Sequence, residues 1–266
     1  AEIRERIQNS NYSLLTLHGM KSHEIQEMGK RRFGLSLGNT TTTFLEEAAG
    51  DPFSLMAYFN TLRYKDLAPS VENIERLLEE GKDPAALAFD SLPDLWKIWA
   101  EEISVLNPPF PIQVIACMLD QQAADMTLMM NRLQESSIFR RLPGGGYTFA
   151  HPLLHEYCSR RLSAGVAIAL NARAADCLEI LMHRLPVRLH VLLSLVRHYF
   201  NAQDYAKVAE LSLELGVRFY HRDDYESALL LTEWAITSAE HLSDDFLLTA
   251  SKEQRELIRQ KAGEAA

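Results

Sequence analysis

Residues 138–156 have the sequence IFRRLPGGGYTFAHPLLHE. Two β-prone arms, 138–142 and 147–151, flank a turn made of Pro143 and three glycines. Glycine tolerates the positive φ angles that tight turns require, so this pattern predicts a β-hairpin. Pro152 follows at once, and proline is favoured at the first position of a helix. The sequence therefore predicts a hairpin that leads directly into a helix.

Three helices are predicted before this hairpin. The first begins near Ser91 and ends at 107–111 (NPPFP), because prolines lack the N–H that a helix interior needs. Its apolar stripe consists of Leu92, Leu95, Trp96, Trp99, Ile103 and Leu106. A short helix over 112–119 and an amphipathic helix over 123–135 follow. Three helices followed by a hairpin is the element order of a winged-helix domain.

A glycine and a proline mark a helix boundary further upstream. The helical run 44–49 stops at Gly50, which suits a helix C-terminus, and Pro52 can open the next helix over 53–62. The sequence predicts two helices joined by this short turn.

The regions on either side of these two helices are less regular. Residues 12–17 (YSLLTL) form a strand-like run, and Ser22 is predicted to cap a helix over about 23–33. After Tyr64 the pattern loosens, and the prolines and glycine of 65–84 predict a linker.

The chain beyond about Val166 is predicted to be helical, with repeated turns. Asp204-Tyr205 and Asp224-Tyr225 each open a helix. Small residues follow where neighbouring helices would touch: Ala209, Ala228, Ala235 and Ala239. These units resemble tetratricopeptide-like hairpins, although the turns lie 20 residues apart and the usual period is about 34. The last helix, 252–262, has few apolar residues, so we expect it to be half of another hairpin whose partner lies beyond this chain.

These patterns predict a mainly α-helical protein in three parts. Residues 1–84 form a helical part with the short strand-like segment, 85–165 form a winged-helix domain with one β-hairpin, and 166–266 form α-helical hairpin repeats.

Composition limits the class of protein. The chain has 266 residues, 47% of them hydrophobic, and a net charge of −9, which predicts a soluble globular protein and excludes disorder. The sequence has no signal peptide or transmembrane run, and it begins without Met, so we expect an excised piece of a larger protein. Its three cysteines are widely spaced and do not form a disulfide framework, which predicts a reducing cytoplasm.

The motifs of common nucleotide-hydrolysing sites are absent from the sequence. A P-loop needs a glycine five residues before Gly-Lys, and the residues at that position are Glu24 and Arg76. The run 115–120 (IACMLD) looks like a strand with a Mg²⁺-binding acid but fits a short core helix better. No Ser/His/Asp or Cys/His set stands out, so no catalytic residue is predicted.

Two histidines have the spacing of a zinc site. His155 is four positions after His151, but no Glu follows the first histidine, and Pro152 marks the helix start. A helix-surface position is the better interpretation of His155, and no metal site is predicted.

Winged helices often bind DNA through their third helix. Here that helix carries only Asp125, Arg132 and Glu135 as charged residues, so we do not expect it to bind nucleic acid. Residues 128–190 are nevertheless basic, with eight Arg against four acidic residues. This region, which includes Arg140-Arg141, could meet an anion, a nucleotide phosphate or an acidic domain.

The order of these features resembles the STAND class of signal-transduction ATPases, in the branch of large regulators similar to the maltose-regulon activator and related to the NB-ARC proteins. Residues 44–55 (FLEEAAGDPFSL) resemble the GxP motif in the helical lid that follows the ATPase core of that family. Residues 144–156 resemble its winged-helix hairpin ending in Phe-x-His, and the Asp-Tyr units resemble its sensor repeats.

The resemblance implies two nucleotide-binding residues. Pro52 would pack against the adenine ring of the nucleotide, and His151 would hydrogen-bond the β-phosphate of ADP in the closed resting state. A phosphate near His151 would also face unpaired N–H groups at the start of the helix that opens at Pro152.

The resemblance also implies what this chain lacks. Without a P-loop, it would contain the lid, the winged helix and the start of the sensor of a larger ATPase, and we do not expect it to hydrolyse ATP alone. ADP would bridge the missing nucleotide-binding core to the winged helix, and ATP exchange would release the protein for oligomerisation. The repeats would bind a protein or small-molecule inducer. The alternatives are a helical-repeat adaptor for protein partners and a winged-helix transcription regulator that binds DNA.

Overall fold

The computed structural model describes residues 19–79, 83–143, 145–182 and 189–265. Contacts divide the chain into two compact units, Ala1–Leu92 and Pro93–Ala266. The strand-like segment predicted at 12–17 lies outside the described residues. The described part of the chain is mainly α-helical with one β-hairpin, as the sequence predicts, and the three-part division with boundaries near 84 and 165 stays a prediction.

Helices and the loops between them form the described part of the first unit. Its α-helices are α1 (Ser22–Met28), α2 (Asn39–Ala49), α3 (Pro52–Tyr64), α4 (Val71–Glu79) and α5 (Pro84–Asp90). The helix predicted over 23–33 changes to a π-helical turn after Met28, and Gly34 ends it with a φ of 66°. Lys21, and not Ser22, is its N-terminal flanking residue. The apolar interior includes Ile25, Leu45, Leu55, Phe59 and Leu62, each fully buried.

The predicted linker at 65–84 is wrong, because the chain forms α4 there and begins α5 at Pro84. Helix α4 is amphipathic and buries Ile74 and Leu77 completely. Asp83 caps α5 by accepting a hydrogen bond from the Ala86 backbone N–H at 2.8 Å. Pro84 therefore starts a helix instead of breaking one.

The second unit begins with three helices, a hairpin and a fourth helix, which is the predicted winged-helix order. The elements are α6 (Asp94–Ile103), α7 (Ile112–Met118), α8 (Ala123–Glu135), β1 (Phe139–Arg141), β2 (Tyr147–Phe149) and α9 (Pro152–Arg161). The first helix is shorter than predicted because Pro93 precedes it, and the predicted core residue Leu95 is 51% exposed.

The hairpin is antiparallel, with Phe139 opposite Phe149. Gly145 and Gly146 have φ angles of 87° and 77°, which fits the predicted role of the glycine turn, while Gly144 lies outside the described residues. Phe110, predicted only as part of a helix break, pairs with Tyr147 through two backbone hydrogen bonds of 3.0 Å.

Helical hairpins form the rest of the second unit. They are built from α10 (Ala164–Met182), α11 (Leu189–Asn201), α12 (Tyr205–Tyr220), α13 (Tyr225–Leu242) and α14 (Asp245–Ala265). Asp204 and Asp224 cap α12 and α13 through their carboxylates. Ala228, Ala235 and Ala239 are buried on α13, which packs against α12 and α14, as the spacing of small residues predicts, whereas Ala209 on α12 is only half-buried. Helix α14 is longer than the predicted 252–262.

A disulfide joins Cys117 in α7 to Cys177 in α10, with 5.8 Å between the Cα atoms. The sequence interpretation, which paired no cysteines, is therefore wrong at this position, because the fold brings together two residues that are 60 apart in the chain. Cys158 is free and buried, and its burial raises the thiol pKa to about 12. None of the described helices is long and apolar enough to cross a membrane.

Candidate functional site

His151 occupies the junction between the hairpin and helix α9. It is the N-cap of α9, and its Nδ1 accepts a hydrogen bond of 3.2 Å from the Leu153 backbone N–H. A ring nitrogen that accepts a hydrogen bond carries no proton, so the neutral ring has its proton on Nε2. This tautomer makes Nε2 a hydrogen-bond donor, the form that a phosphate oxygen requires.

The start of α9 offers fewer backbone N–H groups than the sequence interpretation assumes. Pro152 has no N–H, His151 itself binds the N–H of Leu153, and the N–H of Leu154 is bonded to the carbonyl oxygen of His151 at 3.2 Å. The predicted unpaired N–H groups are therefore already satisfied. An anion at this helix end would depend on the His151 side chain and on the helix dipole.

The aromatic interior of the hairpin fixes the position of His155. Phe139 and Phe149 pack with ring centroids 4.5 Å apart, and the His155 ring stacks on Phe149 at 4.9 Å. His155 Nε2 also lies 2.7 Å from the carbonyl oxygen of Ser104. These contacts give His155 a packing role between α9 and α6, so it is half-buried and does not form a pair of metal ligands with His151.

Pro52 is the first residue of α3 and is exposed to solvent. The preceding Asp51 caps α3, since its Oδ1 accepts a hydrogen bond of 2.9 Å from the Ser54 N–H. Gly50 is not left-handed, with a φ of −65°. It is needed for close approach instead: an added Cβ would lie 3.1 Å from the carbonyl oxygen of Glu46 and 3.5 Å from the Cα of Gly19.

A charged cluster holds α1 to α2 beside the turn at Gly50. The carboxylate of Glu46 accepts hydrogen bonds from the Ser22 hydroxyl at 2.6 Å, the Lys21 ammonium at 3.1 Å and the Ser22 N–H at 2.8 Å. These donors lower the pKa of Glu46 to about 2. Glu46 is therefore a structural anchor that stays ionised through the physiological range.

The basic region of the sequence is partly neutralised in the fold. Arg160 pairs with Glu156, and Arg161 pairs with Glu101 at 2.6 Å. Arg140 and Arg141 are exposed on β1. Arg132 of α8 and Arg173 of α10 are also exposed, so positive charge remains for an anionic partner on this edge of the hairpin and on these two helices.

The two residues predicted to bind nucleotide lie in different units. Pro52 belongs to Ala1–Leu92, and His151 belongs to Pro93–Ala266. Among the described residues, no group of three His, Cys, Asp or Glu side chains could hold a metal ion.

The sequence interpretation missed a polar face on α11. His190, Ser194, Arg197 and His198 are separated by steps of four, three and one, which places them along one side of the helix, and all four line a cavity. Their helical spacing is visible in the sequence, but the apolar residues between them form the stronger pattern. The burial of His198 appears only in the fold.

The comparisons with known proteins give a structural relative. No protein-family model matches this chain, and no curated protein sequence matches it. A similar solved structure is that of a Signal Transduction ATPase with Numerous Domains (STAND) protein with a tetratricopeptide repeat sensor, from Pyrococcus horikoshii. The match has a TM-score of 0.55 and 14% sequence identity, and it covers 94% of this chain and 43% of that one. This chain therefore shares the fold of part of a STAND protein and spans less than half of that protein's length.

Proposed function

We propose that this chain is the regulatory part of a STAND-type signalling protein that switches between ADP-bound and ATP-bound states. The winged helix would sense ADP held by a nucleotide-binding core of the same protein, and the helical repeats would bind an inducer or partner. Exchange of ADP for ATP would release the winged helix and permit oligomerisation. ATP hydrolysis would take place in the core.

The order of the elements carries this proposal. A helical part with an Asp-Pro helix start, a hairpin that ends in His151, and capped helical hairpins follow one another as in the resemblance described above. The similarity to the STAND structure extends over 94% of the chain, so it supports the whole order and not one motif.

The geometry of His151 supports its role toward a phosphate. Its Nδ1 accepts from the Leu153 N–H, which leaves the proton on Nε2 and orients the ring at the positive end of α9. Pro52 supports the adenine contact, since its ring is exposed on a helix start that Asp51 and Gly50 fix.

The test is the variant His151→Ser in a chain that includes the nucleotide-binding core. Serine is a good N-cap, so α9 keeps its cap while the imidazole that would reach the phosphate is lost. A hydrogen bond to a charged group is worth about 1.5–3 kcal/mol. ADP affinity, measured by calorimetric titration, should therefore fall roughly ten- to hundredfold, and basal activation should rise.

His151→Ala is the matched variant, because it removes both the cap and the imidazole. It should loosen ADP as much as His151→Ser does and should also lower thermal stability. If ADP affinity and basal activation of the His151→Ser variant equal those of the wild type, His151 does not sense the nucleotide.

A protein-interaction adaptor is the second candidate, and the surface of the last helix favours it. On α14, Phe246 is 86% exposed and Leu257 is 55% exposed, which is unusual for large apolar side chains. An adaptor would bind its partner through this surface without nucleotide. Partner binding that is independent of ADP and ATP in the chain with its core would favour the adaptor.

A further inference from the structure

A cavity of about 680 Å³ lies within the second unit, between the winged-helix elements and the first helical hairpin of the repeats. Its walls are the segment after α6 (107–111), the hairpin turn at Gly145 and Gly146, Leu178 of α10 and one face of α11. Cavities of roughly 300–1,000 Å³ hold small organic ligands. Most of this wall is apolar, with three prolines after α6 and leucine and valine side chains on the helices.

The polar groups of the wall are concentrated on α11. His190, Ser194, Arg197 and His198 come from the same side of that helix. The described residues that line the cavity include no Asp or Glu, and Arg197 is permanently charged. Arg197 lies over the Trp234 ring at 5.8 Å and has no ion pair with a described carboxylate. The cavity therefore has a net positive wall that favours an anionic group.

His198 supplies an unsatisfied acceptor. Asn171 donates its amide N–H to the carbonyl oxygen of Ala167 at 2.8 Å, so its Oδ1 is the atom that lies 2.9 Å from His198 Nδ1. An amide oxygen only accepts hydrogen bonds, so the proton of the neutral ring is on Nδ1, and Nε2 has a bare lone pair. His198 is fully buried, and its Nε2 has no hydrogen-bond partner in the described part of the chain. Buried polar atoms of folded proteins are nearly always paired, so this atom lacks a hydrogen-bond donor, and a donor in the cavity reaches it when the His198 ring shifts toward the cavity.

We propose that this cavity binds a small organic hydroxy acid, whose carboxylate pairs with Arg197, whose hydroxyl donates to His198 Nε2, and whose apolar body packs against the prolines of 107–111. A guanidinium and a carboxylate form a charge-assisted pair, and the hydroxyl satisfies the orphaned nitrogen. The proposal goes beyond the proposed function, because nothing in it depends on a nucleotide. A ligand at this place would contact both the winged-helix elements and the repeats.

The test uses calorimetric titration of the full 266-residue chain with matched probes. The probe 3-phenyllactate has the carboxylate, the hydroxyl and an apolar ring. Its analogue 3-phenylpropionate lacks the hydroxyl, and 3-phenyllactamide lacks the charge. We expect saturable binding of 3-phenyllactate and at least tenfold weaker binding of each analogue. The aliphatic pair 2-hydroxyoctanoate and octanoate should show the same hydroxyl preference.

Two variants locate the site. Arg197→Gln should weaken 3-phenyllactate binding at least tenfold, whereas Arg218→Gln removes the same charge from an exposed position of α12 and should leave it unchanged. Val191→Trp should fill the cavity from a half-buried wall position and abolish binding, whereas Val217→Trp, at an exposed position of α12, should not.

Four results would overturn the proposal: saturable binding of neither hydroxy acid, equal binding of 3-phenyllactate and 3-phenylpropionate, equal binding of 3-phenyllactate and its amide, or equal binding by the wild type and Arg197→Gln. The first three are measured on the wild type, so they do not depend on how any variant folds. A chain that binds 3-phenyllactate while His151→Ser leaves ADP affinity unchanged would keep this site and lose the proposed nucleotide switch.

Discussion

At the scale of single residues, two histidines show how environment decides protonation. His151 is half-buried, and its Nδ1 accepts from a backbone N–H, which places the proton on Nε2. In His198 the Nδ1 faces an amide oxygen, which places the proton on Nδ1. Burial, together with the nearby charge of Arg197, lowers the pKa of His198 to about 4. The two rings therefore donate from different nitrogens: Nε2 in His151 and Nδ1 in His198.

The buried neutral ring of His198 makes stability depend on pH. Unfolding returns its pKa from about 4 to the ordinary 6.5. Between pH 6.5 and about pH 4 the unfolded chain therefore binds a proton that the folded chain does not. The free energy of unfolding decreases as the pH is lowered through this range. The full contribution of this shift is about 3 kcal/mol.

We expect the variant His198→Gln not to show this decrease in stability at low pH. The difference in free energy of unfolding between wild type and variant, from urea titrations at pH 7 and pH 4.5, should shrink as the pH falls. A His198→Gln profile parallel to the wild-type profile would contradict the assignment.

At the scale of elements, the sequence predicted the hairpin and most helices because their signals are local. Glycines at positive φ, alternating arms and proline at a helix start need only neighbouring residues to act. The error at 65–84 has a local cause too: Asp83-Pro84 caps and opens a helix in the same way as Asp51-Pro52. The two helix starts differ in what precedes them. Gly50, directly before Asp51, ends the regular helix α2.

The aspartate caps of the repeats should contribute measurably to stability. Asp224 accepts a hydrogen bond of 3.1 Å from the Ser227 N–H at the start of α13. Asp224→Ala should lower the free energy of unfolding by about 1 kcal/mol, whereas Asp224→Asn keeps a capping oxygen and should cost little. Thermal unfolding followed by circular dichroism checks this. Equal melting temperatures for the two variants would show that the cap is not what stabilises this helix start.

At the scale of the whole molecule, a disulfide bond depends on a contact that no local sequence pattern predicts. The bond between Cys117 and Cys177 joins α7 of the winged-helix elements to α10 of the first helical hairpin. The sequence pattern of each helix predicts only an ordinary apolar helix. Only their packing against one another places the two cysteines within bonding distance.

Thiol titration of the denatured, unreduced protein should detect one thiol, that of Cys158, and three after reduction. Closing a loop of this length stabilises a fold by roughly 4 kcal/mol in the chain-entropy model. Reduction should therefore lower the free energy of unfolding by an amount of that order. The double variant Cys117→Ser/Cys177→Ser should have the free energy of unfolding of the reduced protein, and the reductant should not change it. Three thiols before reduction would show that the bond does not form.

The sequence by itself determined the helical class, the hairpin and its exit at His151, and the capped turns of the repeats. These features follow from φ preferences, capping and apolar spacing, which act over a few residues. The tertiary structure alone decided the pairing of Cys117 with Cys177, the packing role of His155 and the cavity that His198 lines. Each of these depends on which distant elements meet, because burial and hydrogen-bond satisfaction are set by neighbours across the fold and not along the chain.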